Sequence, residues 1–190
     1  KPEVRQMAAE RGWDELSKKA ESYEICFVPD NDYRSFLKRR VDGLEAQVAG
    51  GNFVDASGKI LGQHEGYPFY TIGQRKGLGI ALGEPMFVTE IQPETNTVIL
   101  GREDELIRNG MLVGKVNLMK YSTLPASGLD AVTKVRYRDS GTLSTLQSVG
   151  SDVDVQFHAN VKGIAPGQSA VFYEGDDVIG GGLIQGSFFG

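Results

Sequence analysis

The chain has 190 residues with 40% hydrophobic and 24% charged side chains, the make-up of an ordinary soluble protein that buries one large core or two small ones. Its formal net charge of −5 excludes a protein that coats nucleic acid indiscriminately, because such binding runs on phosphate neutralisation; a local basic patch stays open. The single cysteine excludes an internal disulfide framework and points to a reducing, cytoplasmic setting, and no apolar stretch reaches the roughly 18 residues of a membrane-spanning helix.

The chain opens Lys1-Pro2 without an initiator methionine, which reads as a boundary inside a longer gene product. Residues 3–20 carry a helical pattern interrupted by Gly12, the second half placing Asp14 and Glu15 first and Lys18 and Lys19 last, as the helix dipole favours. Residues 24–28, Glu-Ile-Cys-Phe-Val, form a short apolar run ended by Pro29-Asp30 and read as a buried strand. Asp32 is placed to cap a helix over residues 33–41 that ends in the cations Lys38, Arg39 and Arg40.

From residue 43 onward the pattern changes to short β-prone runs punctuated by glycine, with strands predicted at 50–54, 58–62, 86–91 and 97–101 and a hairpin turn at Asn96. Further strands are predicted at 111–118, 131–138, 142–146, 153–157, 169–173 and 178–184, a spacing that suits a small barrel or sandwich. The charged run Arg102-Glu103-Asp104-Glu105 separates the two sets. The expected fold is therefore mainly β with a short α-helical N-terminal segment, divided as residues 1–31, 32–102 and 103–190.

Three places could carry chemistry. Cys26 is the one strong nucleophile, and its thiolate could carry sulfur, yet a cysteine in an apolar strand is also an ordinary core residue. Residues 70–80, Tyr-Thr-Ile-Gly-Gln-Arg-Lys-Gly-Leu-Gly-Ile, put Gln74, Arg75 and Lys76 in a glycine-punctuated loop that could approach phosphate or another chain, or could be a bulged hairpin with solvated cations. Read as a strand, Lys134-Val135-Arg136-Tyr137-Arg138 puts Lys134, Arg136 and Arg138 on one face, either a phosphate-contacting stripe or a solvated face. Pro166-Gly167-Gln168 reads as a turn leading into a strand. The Gly77-Leu78-Gly79 segment has no βαβ context for a dinucleotide site, there is no Walker A sequence, and His64 and His158 belong to no metal-ligand spacing.

In order and spacing, Ser22-Tyr23-Glu24-Ile25-Cys26-Phe27, Gly62-Gln63-His64-Glu65-Gly66, residues 70–80, residues 134–138 and Ala165-Pro166-Gly167-Gln168 resemble the bacterial tRNA-specific 2-thiouridylase family. Tyr23 departs from the glutamine common in that family. The resemblance implies a parent enzyme that activates the wobble uridine of tRNA with ATP and magnesium and replaces its 2-oxygen with sulfur. Cys26 matches the persulfide-bearing cysteine. Its partner cysteine, which pairs with it as a disulfide during turnover, and the phosphate loop that handles ATP belong to an N-terminal domain, so this chain alone is expected to be inactive and to hold no cofactor or metal. The resemblance places Arg136, Tyr137 and Gln168 on tRNA and the C-terminal part in a β-barrel, with Gln74, Arg75, Lys76, Lys134 and Arg138 as further tRNA or interdomain contacts. The implied partners are the tRNAs for lysine, glutamate and glutamine and a cysteine desulfurase or sulfur-relay protein as donor. From another class, the alternative is a stand-alone RNA-binding or scaffold module with a structural Cys26.

Overall fold

The computed structural model describes residues 2–19, 28, 32–137 and 139–189. The chain folds as two compact units, Lys1–Leu44 and Glu45–Gly190.

The first unit is helical. Helix α1, Pro2–Glu10, starts with proline at a position whose missing N–H has no intrahelical partner in any case. It stops at Gly12, whose φ of 76° lets the Gly12 and Trp13 amides return to the Ala9 and Ala8 carbonyls at 2.9 Å each. Helix α2 covers Asp14–Lys18, and the interruption therefore falls at the expected glycine. Helix α3 spans Tyr33–Arg40; the Asp32 carboxylate accepts from the Ser35 amide at 3.0 Å, and hydrogen bonds from the Ser35 hydroxyl and amide hold its pKa below the usual aspartate value. The strand expected at residues 24–28 lies outside the described residues except for Val28, which is buried.

A short helix α4, Leu44–Val48, leads into the second unit. Strands β1 (Gly51–Val54), β2 (Ile60–His64), β3 (Phe87–Gln92) and β4 (Thr97–Gly101) form a sheet in the order β2-β1-β4-β3. The β1–β2 and β3–β4 pairs are antiparallel hairpins and β1 runs parallel to β4. Phe53, Phe69, Val88, Val98 and Leu100 are fully buried and make its core. Asn96 supplies the left-handed residue of the β3–β4 turn, φ 49° and ψ 47°, a conformation asparagine tolerates well.

A 3-10 turn at Glu103–Leu106 connects the sheet to the barrel, with the Arg102 amide donating to the Glu105 carboxylate at 2.8 Å. Strands β5 (Ile107–Leu118), β6 (Leu129–Lys134), β7 (Thr142–Val149), β8 (Asp152–Lys162), β9 (Ser169–Glu174) and β10 (Asp177–Phe188) close in the order β10-β5-β8-β7-β6-β9. Closure leaves no free sheet edge. Met111, Val113, Leu146, Val155, Phe172 and Ile179 fill the interior with no exposure. The two polar residues buried among them satisfy each other: the Thr133 and Ser144 hydroxyls are 2.7 Å apart, and Ser144 donates to the Ala131 carbonyl at 3.1 Å. The expected mainly β fold with a helical start and a C-terminal barrel is what the structure has.

Candidate nucleic-acid interface

The antiparallel pairing determines which loops share an end of the barrel. Lys134, the last residue of β6, pairs with Val171 near the start of β9, and Ile107 at the start of β5 pairs with Lys162 at the end of β8. The β6–β7 loop and the β8–β9 loop therefore emerge at the end where the chain arrives from the sheet.

The β6–β7 loop corrects one expectation. The strand expected over residues 131–138 ends at Lys134, so Lys134 and Arg136 do not share a strand face. The cause is Asp139. Its carboxylate accepts the Val135 amide at 2.9 Å and the Gly141 amide at 3.1 Å, and its own amide returns to the Arg136 carbonyl at 3.1 Å. A side chain thereby takes a donor that a neighbouring strand would otherwise use, and the strand becomes a tight loop. Val135 is buried at 1% exposure and anchors that loop, while Tyr137 stands 99% exposed and Arg136 is exposed beside it. Lys134 lies with its Nζ 5.2 Å from the centre of the Tyr173 ring, a cation–π contact on the barrel wall. Arg138 lies outside the described residues.

The β8–β9 loop carries Gln168. Its amide closes a turn on the Ala165 carbonyl at 3.3 Å, and its carbonyl accepts from the Ile184 amide at 2.8 Å, so the backbone is tied to β10 while the side chain is exposed. A β-carbon built on Gly163 would stand 3.5 Å from Arg136 Nη1, which places the guanidinium against this same loop. Arg136, Tyr137 and Gln168 thus occupy two neighbouring loops at one end of the barrel.

The 70–80 segment is a loop, as expected, held by backbone bonds from the Gly73 amide to the Val88 carbonyl at 2.8 Å and from the Val88 amide to the Gln74 carbonyl at 2.9 Å. The Gln74 side chain is committed inside it, accepting from the Thr71 amide at 3.1 Å and donating to the Lys76 carbonyl at 3.0 Å. Arg75 and Lys76 are exposed at its tip. The structure thus separates the trio: Gln74 shapes the loop, and the two cations face solvent.

His64 plays a part the sequence did not signal. It is 6% exposed at the end of β2, edge-on to Phe53 at 5.0 Å between ring centres and tilted against Tyr70 at 5.4 Å. Its Nδ1 accepts the Gly66 amide at 3.0 Å, which makes the neutral ring with its proton on Nε2 the form the site requires. Burial pushes its pKa below the usual histidine value. Gly51 opposite must be glycine, since a β-carbon there would come 2.1 Å from His64 Cε1. Asn96 completes the cluster: its Nδ2 donates to the Val48 carbonyl at 2.7 Å and its Oδ1 accepts from the Tyr67 amide at 3.3 Å. His64 and Asn96 together hold the 3-10 turn Tyr67–Phe69 in place.

The far end of the barrel is built differently. Lys120 bonds Asp177 at 2.6 Å and also Glu174, which accepts from the Tyr121 hydroxyl at 3.0 Å. These hydrogen bonds raise the Lys120 pKa and lower those of both carboxyls. Among the described residues no group of three or more histidine, cysteine, aspartate and glutamate side chains could hold a metal, and no helix is long and apolar enough to cross a membrane. Cys26 lies outside the described residues.

A small mixed sheet followed by a closed antiparallel barrel, with an exposed tyrosine and arginine at the barrel end facing the sheet, defines the class of a two-module β protein. Comparison with known proteins agrees on both modules: residues 34–102 match the tRNA methyl transferase PRC-barrel domain, and residues 108–184 match the Aminomethyltransferase beta-barrel domain. The chain is 63% identical over 188 residues to the tRNA-specific 2-thiouridylase MnmA of Cytophaga hutchinsonii, covering 99% of this chain and 51% of that protein. It is 62% identical to the enzyme of the same name from Amoebophilus asiaticus, over 99% of this chain and 50% of that one, and 50% identical to that of Salinibacter ruber, over 97% and 48%. The chain belongs to the tRNA-specific 2-thiouridylase family, corresponds to a C-terminal part of its members, and spans about half the length of the curated relatives it matches.

Proposed function

We propose that this chain is the sulfur-carrying and tRNA-contacting part of a tRNA 2-thiouridylase. Residues 1–31 carry Cys26, residues 32–102 link, and residues 103–190 contact tRNA through Arg136, Tyr137 and Gln168, with Arg75, Lys76, Lys134 and Arg138 available to phosphates or to another domain. The observation that carries this reading is the shared barrel end: Arg136 lies against the loop of Gln168, and Tyr137 offers an unobstructed ring. Arginine positions a phosphate, an exposed aromatic stacks on an unpaired base, and a side-chain amide bonds a base edge, the usual elements of single-stranded RNA recognition.

In the parent enzyme ATP and magnesium are handled outside this chain, whose sequence contains no Ser-Gly-Gly-x-Asp-Ser loop. Adenylation of the wobble uridine at position 34 releases pyrophosphate and turns O2 into a good leaving group. The terminal sulfur of a Cys26 persulfide then forms the bond to C2 as AMP departs. Attack of a second cysteine thiolate on the Cys26 sulfur breaks the S–S bond, leaves sulfur on the base, and stores the two cysteines as a disulfide for later reduction. A cysteine desulfurase or relay protein reloads Cys26, in the cytoplasm, and the chain alone is inactive.

The test is tRNA binding by this chain over a range of salt. Arg136→Ala is expected to weaken binding and to flatten the slope of log K against log salt by about 0.7–0.9, the loss of one counterion. An unchanged slope would remove Arg136 from the interface.

A further inference from the structure

Between the Tyr67–Phe69 turn and the β8–β9 loop lies a cleft of about 350 Å³. Its walls include Tyr67, Tyr70, Ile91, Pro93 and Pro166, the polar residues among its lining are Tyr67, Tyr70, Thr71 and Gln168, and no charged residue lines it. That volume lies in the lower range of small-ligand pockets, and ring and prolyl walls with few polar groups suit a flat, uncharged ligand with a hydrogen-bonding edge. One wall is fixed: His64 and Asn96 bond the Gly66 and Tyr67 amides, and Phe69 is fully buried beneath. The opposite wall belongs to the barrel loop, where the Gln168 backbone is bonded on both sides and its side-chain amide makes no hydrogen bond among the described residues. The two loops that line the cleft are also the ones that carry or contact cations. Arg136 lies against Gly163 on one side, and Arg75 and Lys76 follow Thr71 and Ile72 in the loop on the other.

An apolar slot whose lining loops bear cations is the complement of a nucleotide, whose base is flat and neutral and whose flanking phosphates are anionic. A peptide would leave those cations unanswered unless it were acidic. We propose that this cleft is a subsite for one unstacked base of the bound tRNA, its face against the Tyr67 and Tyr70 side and its edge bonded by the Gln168 amide. Single-stranded loops are read in this way, by splaying a base onto aromatic surfaces and bonding its edge. This rests on the tRNA-contacting reading above.

The test uses this chain and an anticodon stem-loop RNA in which each loop nucleotide is replaced in turn by an abasic site. For the unaltered chain, one position is expected to weaken binding about five-fold or more when its base is removed, the scale of one base–aromatic stack. Thr71→Trp, at an exposed position on the cleft wall, fills the slot. It should bind the intact loop as weakly as the unaltered chain binds that abasic RNA, and should no longer respond to the abasic change. Gln168→Leu, also at an exposed position, should bind with the five-fold loss confined to the same nucleotide, and covers the case of a misfolded Thr71→Trp. A flat abasic profile, or a Thr71→Trp variant that binds like the unaltered chain, would overturn the subsite and assign the cleft to a polypeptide or to no ligand while leaving the tRNA-contacting reading standing. Failure of the unaltered chain to bind the RNA at all would overturn both.

Discussion

Tyr137 has its whole ring in solvent, and an aromatic at 99% exposure contributes almost nothing to the fold. The anchor of its loop is the residue two before it, Val135, which sits in the core. Tyr137→Ala should therefore leave the thermal unfolding midpoint unchanged while weakening tRNA binding by about 1–3 kcal/mol, the range for loss of one stacked base. Full-strength binding by the variant would place the ring outside the interface. The turn at Pro166-Gly167-Gln168 was legible in the sequence because its signal is local. The strand expected through residues 134–138 was not what formed, because alternation of polar and apolar residues describes a strand equally well up to the point where a side chain steals its hydrogen bonds. Asp139 was visible in the sequence; that its carboxylate would reach back to the Val135 amide was not.

Among the elements, helix α3 and the β3–β4 hairpin follow from short-range rules, an aspartate cap in one case and a left-handed asparagine in the other. The cluster of His64, Phe53, Tyr70 and Asn96 does not. Its members come from two strands and two turns spread over more than forty residues, and a lone histidine in a sequence gives no sign of burial. Protonation of His64 would put a charge among aromatic rings and destroy the acceptor of the Gly66 N–H. Because its folded pKa is lowered, the unfolded chain takes up the proton first. The stability of this module is then complete above the ordinary histidine value of about 6.5 and falls as the pH drops below it, toward the lower folded pKa. Urea unfolding at pH 7.5 and pH 5.5 should show this loss. His64→Asn, which keeps an acceptor near the Nδ1 position but does not titrate, should remove this loss; the same loss in the variant would show that His64 is not its source.

For the whole molecule, the barrel joins its consecutive-strand hairpins through three long-range pairs, β10–β5, β5–β8 and β6–β9, and it is that closure which brings Arg136 and Gln168 to one end. The strand count was legible; the shared end follows only from pairing register. Net charge points the same way as this local arrangement: on the proposed function a chain at −5 relies on a few placed cations, so single substitutions among them are expected to have measurable effects. The Lys120, Glu174 and Asp177 cluster at the far end leaves the sheet-facing end as the one suited to an anion. In the proposed function, what joins this end of the barrel to chemistry is Cys26, the sole cysteine of the chain. The most direct measurement is therefore 2-thiouridine formation on tRNA by the full-length enzyme carrying Cys26→Ser, read together with its tRNA affinity. Sulfur transfer is expected to be abolished with affinity kept within about two-fold; 2-thiouridine formed at the unaltered rate would contradict the carrier role of Cys26.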